Sequence, residues 1–175
     1  MRKTVFTLIA LFAVLTTNAQ NVKFAHVSSY EVLDSIQSYK DIQAESAKIQ
    51  NDAQDAYKGI EAEMIKIQAE AEAGIDTLSD FEIQMIQSTL QQKQGFIQQL
   101  ELNTQKQIQV LEERMFKLTE MYREAVKVVA DKEGITYVFD DQSGLVYAGD
   151  SGVNLTDKVR SELLKMDNAS PVHRF

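Results

Sequence analysis

Cysteine is absent from the 175-residue chain, proline occurs once, at Pro171, and histidine twice, at His26 and His173. Without cysteine no disulfide can support the fold, and no lipid can be attached through an N-terminal thiol. Without interior proline nothing removes amide donors from a helix, and the stretch from Thr77 to Gly134 has one interior glycine, Gly95. His26 falls in a predicted strand and His173 in a polar tail. Neither has companions at ligand spacing, so no metal or other cofactor is expected. Nucleophile elbows, phosphate-cradling glycine loops and dinucleotide fingerprints are also missing. Carboxylates are plentiful, as in Glu61 with Glu63 and Glu112 with Glu113, but on solvated helices they are surface charge. The chain does not look like an enzyme. Positive charge is scarce too: 18 Lys and Arg stand against 26 Asp and Glu, a net charge of −8. Such a balance gives no electrostatic reason to bind nucleic acid or anionic lipid.

Long apolar runs are limited to Val5–Leu15, too short to cross a bilayer. Arg2 and Lys3 precede it, and Thr17-Asn18-Ala19 follows as a small-residue cleavage pattern. This predicts a secretory leader, residues 1–19, cleaved after Ala19, in preference to an uncleaved anchor. Losing two positive charges with it takes the net charge from −8 to −10. The mature chain is expected to be soluble without stable membrane insertion, and in a bacterium to reside in the periplasm.

What the mature chain does contain is helix-forming sequence between two short β-rich ends. Residues 20–38 supply a strand, Val22–Val27, and the start of a helix, where Ser28-Ser29-Tyr30-Glu31 has the form of a capping box. From there to Ala73 only Gly59 weakens helicity. Tyr39, Ile42, Ser46, Ile49, Ala53, Tyr57, Ile60, Met64, Ile67 and Ala71 alternate spacings of three and four. The doubled four at Ala53 marks a stutter in a coiled-coil seam. A turn is expected near 74–79, and Ser79-x-x-Glu82 caps a second long helix. Its seam is Ile83, Leu90, Ile97, Thr104, Leu111, Leu118 and Ala125, seven apart, with Ile86, Leu100, Met121 and Val128 as companions. Two long helices joined by a short turn pack antiparallel, so 39–133 is predicted to be a helical hairpin.

Residues 134–166 should return to the β body. Gly134 is a C-cap. Ile135–Phe139 and Leu145–Ala148 read as a β-hairpin, and Asn154 or Thr156 caps a helix to about Met166 with Val159, Leu163 and Leu164 on its apolar side. Residues 167–175 read as a loose tail. Three short strands and one short helix make a poor core, and open strand edges invite pairing, so oligomerisation is expected.

With no chemistry to assign, function must lie on the surface. Ten glutamines between Gln84 and Gln109 make a polar, weakly charged face. Among them and off the seam stand Met85, Phe96 and Leu102, with Ile65 on the first arm. These four are either scattered exposure or a weak, adaptable apolar surface for a non-native polypeptide.

The two ends of the chain carry a resemblance. "FAHVSSYEVLDSIQSYK" (Phe24 to Lys40) resembles the opening motif of the Skp/OmpH family of periplasmic chaperones, and "KEGITYVFDDQSGLVYAGDSGVNLTDKV" (Lys132 to Val159) its closing motif. The resemblance implies an α+β, mostly α fold: a homotrimer whose strands merge into a small β-barrel body from which one helical hairpin per chain hangs as a tentacle. It implies an ATP-independent holdase for unfolded outer-membrane proteins. Many relatives have proline before the Tyr-Lys pair, where this chain has Gln37 and Ser38, so a weaker bend is expected there. The best-known members carry basic tentacles, whereas Lys40 to Glu133 here holds 11 basic and 18 acidic side chains. A structural coiled-coil adaptor or spacer in the cell envelope is the competing reading.

Overall fold

The structure is a computed structural model that describes residues 22–143, 145–149 and 151–170. The expected leader, the turn glycine Gly144, His173 and the last five tail residues lie outside the described residues.

Strand β1 (Phe24–Val27) leads directly into a short helix α1 (Ser29–Asp34), whose start is held by the Ser28 hydroxyl accepting the Glu31 amide at 3.4 Å. The helix then stops. The Ser35 hydroxyl donates to the Val32 carbonyl at 2.6 Å, and Ile36 is extended with φ −91° and ψ 129° before α2 (Gln37–Ala73) begins. The break expected to be weak without proline is therefore complete. Its cause is burial: Ile36 is fully enclosed in the core beside Val32, and apolar burial of that size outweighs one lost turn of helix.

Helix α2 ends at Gly74, whose amide reaches the Glu70 carbonyl, and Thr77 and Leu78 turn back onto the Gly74 carbonyl. Ser79 and Glu82 form the reciprocal capping box that opens α3 (Asp80–Glu133). At about 1.5 Å per residue the 37 residues of α2 span about 55 Å and the 54 of α3 about 80 Å. The arms run antiparallel, with Glu63 of α2 paired to Lys93 of α3 and Glu45 to Arg114. Seam side chains out to Thr104 are only half-buried, because two helices alone cannot enclose a side chain; Leu111, Leu118 and Ala125 are buried where the body adds a further layer.

The extra length of α3 runs alongside the body and ends at Gly134, in the left-handed region at φ 64°, as a C-cap requires. Strand β2 (Tyr137–Asp140) follows, then a 3-10 turn, Asp141–Ser143. The sheet differs from the expected β-hairpin. Its order is β2-β1-β3, where β3 is Val153–Asn154, and both pairings are parallel. The hairpin acts as the crossover between β1 and β2, and a helical crossover returns the chain parallel. The Leu145–Ala148 segment, expected as a strand, pairs with no strand among the described residues; Val146 is 97% and Tyr147 82% exposed. One chain thus supplies an open three-stranded sheet with β2 and β3 at its edges.

Helix α4 (Thr156–Ala169) closes the body. Asn154 Oδ1 accepts the Thr156 amide at 2.8 Å, while the Thr156 hydroxyl accepts the Ser28 amide and ties α4 to the end of β1. Val159 and Leu163 are fully buried, but Leu164 lies off the apolar side, 36% exposed. The helix passes the expected Met166 because Asp167 is buried and accepts the Ser38 hydroxyl at 2.6 Å, fastening α4 to the root of α2.

Candidate functional site

Sequence reasoning placed the site on the hairpin, and the four named residues are all exposed there: Ile65 60%, Met85 54%, Phe96 50% and Leu102 53%. They are not one cluster. Ile65 projects from α2, and the other three are spread over about 25 Å of α3 at about 1.5 Å per residue. Leu102 has two further partners in phase that the reading missed. Phe81 and Phe116 lie three heptads before it and two after, and are 70% and 64% exposed. Both stand a whole number of heptads from Leu102, the same repeat that defines the seam. Val110 and Tyr57 are also exposed, Tyr57 because the stutter at Ala53 rotates it off the contact line.

At that stutter the arms separate. A groove of about 580 Å³ opens between them, lined by Ile49, Asp52 and Ala53 on one side and Leu100, Thr104 and Val110 on the other. Below it Arg114, nearly buried, donates to Glu45 at 2.6 Å, and its Nε has no partner among the described residues. Above it the hydrogen bond from Lys93 holds the Glu63 carboxyl below the usual carboxylate range, aided by the charge of the lysine. These two cross-arm pairs fix the register of a seam that apolar packing alone specifies weakly.

The body carries a second exposed surface that sequence reading did not single out. Side chains alternate across the sheet, so Ala25 and Val27 face the core while Phe24, Tyr137 and Phe139 face out. Phe24 stacks on both rings, with centroids 5.6 and 6.1 Å away. His26 keeps its expected place in the sheet, and its Nδ1 also meets Asp141 Oδ1 at 3.0 Å. Behind the sheet the Tyr122 hydroxyl is pushed up to about 12, by burial first and then by the charges of Asp140 and Asp141. Among the described residues no cluster of His, Asp and Glu could hold a metal ion, and no helix is long and apolar enough to cross a membrane.

The family described as Outer membrane protein (OmpH-like) matches residues 23–163. Among solved structures, the chain is similar to a crystal structure of an OmpH-like outer membrane chaperone candidate from Caulobacter crescentus CB15. The TM-score is 0.58 at 16% identity, over 86% of this chain and 89% of that one. A comparison with curated protein sequences finds no match. At that identity the structural likeness concerns the fold.

Proposed function

Since the chain belongs to the OmpH-like outer membrane protein family, we propose that it is an exported, ATP-independent holdase that encloses unfolded outer-membrane proteins between hairpins. The observation that carries this reading is the wall itself. It is an arm of 54 residues on which Met85, Phe96 and Leu102 stand exposed among glutamines, with Phe81 and Phe116 exposed on either side of that stretch. A barrel strand before insertion exposes alternating apolar residues, which need shielding without tight grip. Isolated side chains on a polar, weakly charged surface supply many weak contacts and no deep pocket, so the protein acts by binding and not by reaction.

A cavity needs more than one wall. The outward aromatic face of Phe24, Tyr137 and Phe139, the two open sheet edges and the unpaired Leu145–Ala148 segment are what a neighbouring copy would cover. In this reading three chains join through these features into a closed body, and the leader directs the protein to the periplasm. The test is dilution of a urea-denatured outer-membrane barrel into buffer with stoichiometric protein, read by light scattering. Suppressed aggregation of several unrelated barrels is expected. A well-folded protein that leaves scattering unchanged would instead be a fixed-partner adaptor.

A further inference from the structure

The far end of the hairpin differs in chemistry from the rest of the wall. A groove of about 340 Å³ lies between the arms there, with Ile67 and Ala71 of α2, Leu78 of the turn, and Met85 and Ile86 of α3 in its lining. Its surroundings add exposed Ile75 and Phe81, 59% and 70% exposed. Around this apolar patch the charge is nearly all of one sign: from Gly59 to Gln92 there are seven acidic side chains and one basic, Lys66. Glu63 is committed to Lys93 and Glu82 to Ser79, and Glu70 is 3.8 Å from Lys66. Glu61, Glu72, Asp76 and Asp80 have no partner among the described residues.

Helix stability does not explain this arrangement. Asp80 and Glu82 suit the positive N-terminal end of α3, but α2 ends with Glu70 and Glu72 and no basic residue in its last turn. Acidic groups at a helix C-terminus oppose the helix dipole, so this end is less stable than it need be. Departures from local consistency of this kind mark functional surface.

We propose that this tip groove docks a cationic amphipathic segment of a polypeptide partner: a large apolar side chain in the groove, flanked by lysine or arginine facing Glu72, Asp76 and Asp80. Charge complementarity selects the partner, because the same carboxylates repel acidic peptides and anionic lipid surfaces. The site shares Met85 with the glutamine-rich wall but is set apart from it by its unpaired carboxylates, and it does not depend on that wall holding clients.

Two labelled helical peptides with identical leucines, one with lysine and one with glutamate at its polar positions, test this by fluorescence anisotropy on the full mature protein. The lysine peptide should bind and the glutamate peptide should not, and raising salt from about 50 to 500 mM should weaken binding by about tenfold. The triple variant Glu72→Gln, Asp76→Asn, Asp80→Asn should weaken it by about tenfold at low salt. Ile75→Ser should weaken it at high salt as well. The control Glu101→Gln, Glu112→Gln, Glu113→Gln removes equal charge elsewhere and should leave binding intact. Equal loss in the control, equal binding of both peptides, or capture of anionic vesicles by the tip would overturn the proposal. So would self-association abolished by the tip triple, which would make the occupant a second copy. Protection of denatured barrels by the tip triple should be unchanged, so failure here and failure of the holdase reading are distinguishable.

Discussion

Tyr122 shows how much a single side chain's surroundings decide. Its ring packs against the core while its hydroxyl looks toward Asp140 and Asp141, so ionisation is opposed by burial and by two negative charges. The folded value of about 12 lies above the usual value of about 10 for an unfolded chain. A pKa raised on folding gives stability that is complete below pH about 10 and is lost as pH rises toward about 12. Tyr122→Phe removes the proton from the balance, so its urea midpoint should decline less steeply than that of the unmodified protein across this window. Parallel curves would show that the hydroxyl does not sense the carboxylates. Asp140 is held in place for this effect, because its Oδ1 accepts the amides of Ser29 and Gln142. The Gln142 contact is local, two residues away, but the Ser29 contact has no local signature, because it joins residues 111 apart that only the finished sheet brings together.

Within the hairpin, the seam and the outer face separate stability from binding. Ile65, Met85, Phe96 and Leu102 lie off the seam and are at least half exposed, so replacing all four by serine should leave helicity and assembly intact. If they hold clients as proposed, each contact should contribute a fraction of the roughly 1.5–3 kcal/mol of full burial, so one substitution should have little effect while four together weaken capture clearly. Undiminished protection by a folded quadruple variant would remove these residues from the mechanism; adding Phe81→Ser and Phe116→Ser extends the test to the missed members of the Leu102 row. The hairpin was legible because its signals are local: the Ser79–Glu82 box, Gly134, and seams with a spacing of three and four. The sheet was not. Val153–Asn154 is too short for a pattern, and parallel pairing with β1 depends on a crossover of more than a hundred residues. Leu145–Ala148 misled for a related reason: β-forming residues reveal a readiness to pair, not where the partner is.

For the whole molecule that unpaired segment is the most useful feature. A single chain leaves Tyr147 82% exposed, so an aspartate at that position costs the isolated chain little in packing. In an assembly that covers the segment, the same aspartate would be an unpaired charge in an apolar interface, which costs several kcal/mol. Tyr147→Asp therefore separates folding from association. Circular dichroism should show unchanged helix content, because α2, α3 and α4 do not rely on Tyr147, and light scattering should show monomers in place of the trimer proposed for the unmodified protein. The consequence for function follows from geometry. One hairpin is a strip half-buried along its seam and open on its remaining faces, and it cannot surround an unfolded chain; three held at a common body can. The monomeric variant should thus lose protection of denatured barrels although its four wall residues and its tip are intact, whereas a trimer peak from Tyr147→Asp would exclude this segment from the interface.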